Sequence, residues 1–316
     1  MKARYKIVLL FLSVCVLAAG GVFLYSRFTR EPTISKEYMV NEYDYLASLQ
    51  AFSDQELLAL GYSVEDVAKL RGFSFEDALY ERAQLSDDVL RNYGYSEAQI
   101  ALLRAYREGE ELSSDQLKDV SAAFTGSMVL NEPRADDPPR TTQMTATFTW
   151  HWTSRPLWLE TDAVTCGYAG VSANNTSCAL ALVPDGPNQC TVRYRTIDGS
   201  DYTYFSMSKT TDPGGSGLSF DVPMLYKDGA SSYWAESGVF VVTVQESIPA
   251  NNLGAVMFSF GYGHATQTGH LSGIKIISTF DPAFPVRISL VFSEGLDSMY
   301  NKTLLAYTSG ETVVLD

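Results

Sequence analysis

The chain has 316 residues, a formal net charge of −14 at neutral pH, three histidines and four cysteines. So acidic a surface repels phosphate backbones, which argues against nucleic acid as a partner. Four cysteines are too few for a disulfide-built scaffold, so the fold must rest on a hydrophobic core.

Charge divides the chain. Residues 1–30 carry five basic and no acidic side chains, 31–140 carry 22 acidic and 10 basic, and 141–316 carry 15 acidic and 8 basic. Residues 7–25 read IVLLFLSVCVLAAGGVFLY without a charge. As a helix they span roughly 28 Å, close to a bilayer's hydrocarbon core. With Lys2, Arg4 and Lys6 before it, this stretch is expected to be a signal anchor: residues 1–6 stay cytoplasmic and the bulk lies outside, held at the cell membrane by a single pass. The alternative is a signal peptide cleaved near Ala18-Ala19-Gly20, giving a secreted protein.

Residues 26–130 are expected to be an acidic α-helical module with an internal repeat. Residues 52–73 align without gaps on 85–106, matching Ser53-Asp54 with Ser86-Asp87, Leu57 with Leu90, Gly61-Tyr62-Ser63 with Gly94-Tyr95-Ser96, and Leu70-Arg71 with Leu103-Arg104. The serines cap helix starts, the glycines end short helices, and Val67/Leu70 and Ile100/Leu103 form apolar stripes. Each copy therefore predicts a helix–turn–helix hairpin. A further helix is expected from Ser113 to about Phe124, and the tyrosines at 38, 43, 45, 62, 93, 95 and 106 pack between helices or form a contact surface. Residues 131–140, NEPRADDPPR, exclude helix and strand and read as a linker.

From residue 141 the period changes to two. Met144, Ala146, Phe148, Trp150 and Trp152 fall on one strand face, with His151 on the other. Further strands are expected at 163–168, 177–182, 190–197, 202–208, 216–222, 238–245, 255–262, 273–280, 286–292 and 302–307, separated by turn residues; Asp198-Gly199 is the strongest hairpin signal. The fold class is thus multi-domain: an N-terminal transmembrane helix, a small all-α helical-hairpin module and, over 141–316, an all-β domain of sandwich or jelly-roll type.

Little chemistry assembles. His264 and His270 lie six apart without a zinc motif, so no metal or cofactor is expected, and His264 reads as a turn residue. No G-x-S-x-G elbow occurs. Cys166 at a strand end could meet His264 as a nucleophile–base pair, and Glu160 with Asp162 could serve a glycosidase, but neither pair has a supporting motif, so no catalytic residue is assigned. Cys166, Cys178 and Cys190 read as small buried apolar residues. Trp158 and Trp234 are the candidate binding residues, because planar aromatics stack on sugar rings.

The Leu-rich repeat of the type LSDxxLxxxGYSxxQIxxLR, the apolar N-terminus and the run TFTWHWTSRPLWLETD together resemble a group of exported, membrane-anchored proteins of Gram-positive bacteria with no assigned activity. The resemblance implies an envelope location and no site residue. The expected function is a non-catalytic binding or interaction module at the cell envelope, with the membrane and an envelope polysaccharide or protein as partners. The alternatives are a hydrolase acting on an envelope polymer and a carbohydrate-binding β-sandwich.

Overall fold

The computed structural model describes residues 33–34 and 37–315, apart from 60–61, 131–133, 136–141, 185, 198–200, 208, 212–216, 248–252, 266–273, 282–283, 293–295 and 310. The apolar stretch 7–25, most of the linker, the Asp198-Gly199 turn and His270 lie outside the described residues. Among those described, no helix is long and apolar enough to cross a membrane.

Residues 34–316 form one compact unit, mostly antiparallel β-sheet with helices in its first third. The longer strands are β1 (Tyr38–Asn41), β2 (Ala123–Leu130), β3 (Thr142–Trp152), β4 (Thr161–Ser172), β5 (Gln189–Thr196), β6 (Tyr202–Ser206), β7 (Gly217–Pro223), β8 (Leu225–Asp228), β9 (Ser231–Glu246), β10 (Leu253–Ala265), β11 (Ile274–Asp281), β12 (Phe284–Phe292), β13 (Leu296–Tyr307) and β14 (Thr312–Leu315). One sheet runs β2-β3-β9-β5-β6, with β1 paired to β2 and β8 to β9. A second runs β7-β4-β10-β13-β14. The two face each other across one core: Phe148 of β3 stacks on Phe260 of β10 at 5.5 Å, and Phe240 of β9 meets Phe260 and Phe220 edge-on. Alternation does this work in β3, where Met144, Ala146, Phe148, Trp150 and Trp152 are buried and the residues between them are half-exposed.

Strand β4 does not alternate, being buried on both faces. The β11–β12 hairpin covers the outer face of the second sheet, packing Ile276 and Leu290 on Ala163 and Ala265. The close approach needs small residues beneath. A Cβ added to Gly217 would lie 2.0 Å from Ile276 and 2.6 Å from the Cys166 carbonyl oxygen, both impossible distances.

The helices are not a module preceding the β domain. They are inserted between β1 and β2, which pair antiparallel from Tyr38–Gly126 to Asn41–Ala123. Both strands fall within residues 26–130, the region expected to be helical, and the last helix of the structure ends at Val120, before the expected Phe124. Short strands this far apart are recognisable only once paired. Asn41 closes the neck of the insertion. Its Oδ1 accepts from the Tyr43 N–H and the Ser121 hydroxyl, and its Nδ2 donates to the Lys118 carbonyl.

The helices among the described residues are α1 (Glu42–Ala51), α2 (Asp54–Ala59), α3 (Val64–Gly72), α4 (Phe75–Ala83), α5 (Asp87–Asn92), α6 (Glu97–Arg107) and α7 (Ser114–Val120). Helices α4, α5 and α6 each start 33 residues after α1, α2 and α3. The repeat unit is therefore three helices, not the expected hairpin. It begins at the caps Asn41 and Ser74, and Leu46 of α1 and Leu79 of α4 fill equivalent buried places. Sequence divergence in α1 and α4 hid that third helix from the alignment.

One arginine fastens each unit. Arg71 holds Asp54 at 2.9 Å and donates to the carbonyls of Gln50 and Phe52; Arg104 holds Asp87 at 2.9 Å and donates to those of Ala83 and Leu85. Arg104 is the more enclosed. Arg104→Ala is expected to cost about 2 kcal/mol and Arg71→Ala about 1, read by urea unfolding. Gly94 ends α5 in the left-handed region at φ +89°, where the Gly94 and Tyr95 N–H groups donate back to the Arg91 and Leu90 carbonyls.

Candidate functional site

The ionisable residues of interest converge where the second helical unit meets the sheets. Asp162 enters on β4, on the same side as Val164 and Cys166, and is fully buried. His264 Nδ1 lies 2.9 and 3.0 Å from its two oxygens. The Tyr262 hydroxyl donates to Oδ2 at 2.5 Å and the Ala265 N–H to Oδ1 at 2.9 Å. A carboxylate only accepts, so the imidazole hydrogen sits on Nδ1. Trp152 completes the group, its indole N–H 3.3 Å from the Tyr262 oxygen and its ring 4.8 Å from His264. Burial, then the Asp162 charge, holds the Tyr262 hydroxyl well above the usual tyrosine range, so it stays protonated and donating.

A second layer comes from the helices. Glu42, the first residue of α1, is 1 % exposed. Its Oε1 accepts from the Leu157 N–H at 2.8 Å, and the Trp158 N–H lies beside the same carboxyl group. Burial pushes its pKa up to about 7, against the opposing pull of His264, the Leu157 N–H and Arg82. Arg82 of α4 is also buried. It reaches the Arg155 and Pro156 carbonyls at 3.3 and 3.5 Å, and its guanidinium stands 4.9 Å from the Tyr93 ring centre. Arg155 stacks on Tyr93 at 4.5 Å, and its backbone N–H donates to the Tyr93 carbonyl. Burial lowers the Arg155 pKa and raises that of Tyr95.

No protein-family model matches the chain, and no curated protein matches it.

The residues singled out from sequence fall in several places. Trp234 lies wholly within the core between the sheets, so it is not on an accessible face. Trp158 is half-buried against Phe73, ring centres 4.7 Å apart, beside the helices. The two do not share a binding face. His264 is not an exposed turn residue; β10 runs on to Ala265 and buries it. Asp162 is buried and Glu160 exposed, so they line no common cleft. Cys166 and His264 are not brought together. Cys166 is four residues along β4 from Asp162, about 13 Å away at strand rise. Its thiol pKa is raised well above the usual value by burial. Cys178 and Cys190 are also buried free thiols. His151 faces outward as expected, half-buried, with burial lowering its pKa.

Among the described residues, no three His, Cys, Asp or Glu side chains converge as metal ligands. No local sequence pattern singles out Glu42, Arg82, Arg155 or Tyr262. The available signal was narrow. Asp162 alternates inward with Val164 and Cys166, so it is a charge on a core face. Glu42 looks like any acid favouring a helix N-terminus.

Proposed function

We propose that this chain is a non-catalytic binding protein of the cell envelope, held at the membrane by residues 7–25, with the outer face of the first sheet as its binding surface. The observation that carries the reading is the aromatic and basic end of that face. Tyr202 and Tyr204 of β6 are 43 % and 63 % exposed. Arg193 and Arg195 of β5 lie under the Tyr202 ring, 4.7 and 5.7 Å from its centre. Both arginines bind one buried carboxylate, Glu236, which leaves one positive charge in excess on an otherwise acidic chain. The rest of the face mixes hydroxyls with valines: Ser127 pairs with Thr149 at 2.8 Å and Thr145 with Thr243 at 3.0 Å, and Val239 stands exposed among them.

Exposed tyrosines beside a partly compensated arginine pair suit a polysaccharide that carries acid groups: rings stack on the tyrosines and carboxylates or phosphates meet Arg193. The resemblance to exported Gram-positive proteins supports the envelope placement. Tyr204→Ala is expected to weaken binding to an acidic polysaccharide such as polygalacturonate about tenfold in titration calorimetry, with folding stability changed by less than about 0.5 kcal/mol. Unchanged affinity in Tyr204→Ala and Tyr202→Ala, or no binding by the unaltered protein to acidic polymers, would remove this face from the reading.

A further inference from the structure

The strand register sets six residues in one row across the first sheet. Met39 pairs with Thr125, Thr125 with His151, His151 with Ser237, Ser237 with Arg193, and Arg193 with Tyr204. Their neighbours along β3 and β5, Trp150, Trp152, Val192 and Tyr194, are buried, so the row lies on the outer face. We infer that a bound acidic polysaccharide lies across the strands along this row, with a ring on Tyr204, an acid group on Arg193 and its further sugars over Ser237, His151 and Thr125. This rests on the acidic-polysaccharide reading of that face.

Glu236 organises the row. The pairing of β9 with β5 shifts between Ala235 and Ser237, so Glu236 is an extra residue, a bulge that re-aims its side chain. That side chain is 5 % exposed and binds both Arg193 and Arg195. The Glu236 backbone carbonyl stands beside the His151 ring. With one imidazole nitrogen donating there, the other is an acceptor suited to a sugar hydroxyl. One bulge thus fixes the cation of the row and orients the histidine two strands away.

The path crosses the strands because the path along them is short. Arg195 donates to the Arg91 carbonyl at 3.0 Å, so the helical insertion borders the face at that end of β5. In the other direction β6, which supplies the tyrosines, ends at Ser206. Across the sheet the row runs between two open ends, Tyr204 and Met39, each 63 % exposed.

Spacing and charge agree with this path. Adjacent strands stand about 4.8 Å apart, so the row presents a side chain at each such step over about 24 Å. That step is close to the length of one sugar in an extended chain, so successive sugars meet successive strands. The row holds no acidic side chain on a chain of net charge −14, which spares an anionic polymer the repulsion of the acidic surface. The next row, through Thr149 and Val239, offers neither a ring nor a cation.

Titration calorimetry of the full chain with galacturonate oligomers tests the path. Affinity should rise at least about tenfold from digalacturonate to pentagalacturonate and level off with longer oligomers. His151→Ala should weaken pentagalacturonate about fivefold and leave digalacturonate, seated on Tyr204 and Arg193, unchanged. His151→Gln, which keeps a polar group, should lose less. Thr149→Ala, in the next row, should change neither. The length series uses the unaltered protein and decides the matter even where His151→Ala fails to fold. Equal affinity for the two oligomers, or a loss in Thr149→Ala matching that in His151→Ala, overturns the path and leaves the polysaccharide reading standing. Failure of every oligomer to bind overturns both.

Discussion

Asp162→Ala is expected to destabilise the fold by about 3–5 kcal/mol, measured by urea or thermal unfolding. The carboxylate serves three donors at once: His264, the Tyr262 hydroxyl and the Ala265 N–H. All three are buried, and removing the acceptor strands them where water does not reach. Tyr262→Phe removes one donor and leaves Asp162 two others, so it should cost only about 1–2 kcal/mol. A double-mutant cycle between Asp162 and His264 should then show a coupling of at least about 1 kcal/mol. A loss below about 1 kcal/mol in Asp162→Ala would mean that water enters the cluster, which would reopen it as a site for chemistry.

Trp234→Ala is expected to cost about 3–5 kcal/mol as well, for a different reason. The indole is fully buried among the core side chains of the first sheet, and close-packed neighbours cannot collapse to fill the space it leaves. Sequence alone makes Trp234 a candidate for sugar stacking; its burial makes it a packing residue. The two roles separate experimentally. In Trp234→Ala, polysaccharide affinity measured well below the unfolding transition should be unchanged while the transition itself falls. Tyr204→Ala should show the reverse pattern. Lost affinity in a folded Trp234→Ala protein would restore the tryptophan to the binding surface.

The stability of the helical insertion is legible residue by residue. Ser63, Ser96 and Ser113 each form a capping box with the residue three positions on. The matched Asp54/Asp87 and Arg71/Arg104 prove to be the two ends of the same bridge in each unit. What repetition could not show was the third helix of each unit. Leu46 and Leu79 keep its core contact, but Phe75 stands at the place of Glu42 and Arg82 at that of Leu49, because Glu42 of the first unit and Arg82 of the second are the residues that reach the 155–157 segment.

The strands were legible where one face meets water, as in β3, and less so where both faces are covered. In β4 and β10 the β11–β12 hairpin buries the outer face, so small and apolar residues run on without alternation, and the strand end at His264 and Ala265 reads as a loop.

The sequence by itself determined what depends on short spacings: helix starts from caps, the 33-residue repeat, the core face of β3, and an apolar N-terminal stretch of membrane length. Only the tertiary structure decided that β1 and β2 close around the helices, and that Glu42, Arg82, Arg155, Asp162 and His264 meet. Caps and periodicities act over a few residues, where backbone geometry fixes who is near whom. A buried polar cluster drawn from positions more than two hundred residues apart follows from sheet pairing and core packing, which no local pattern encodes.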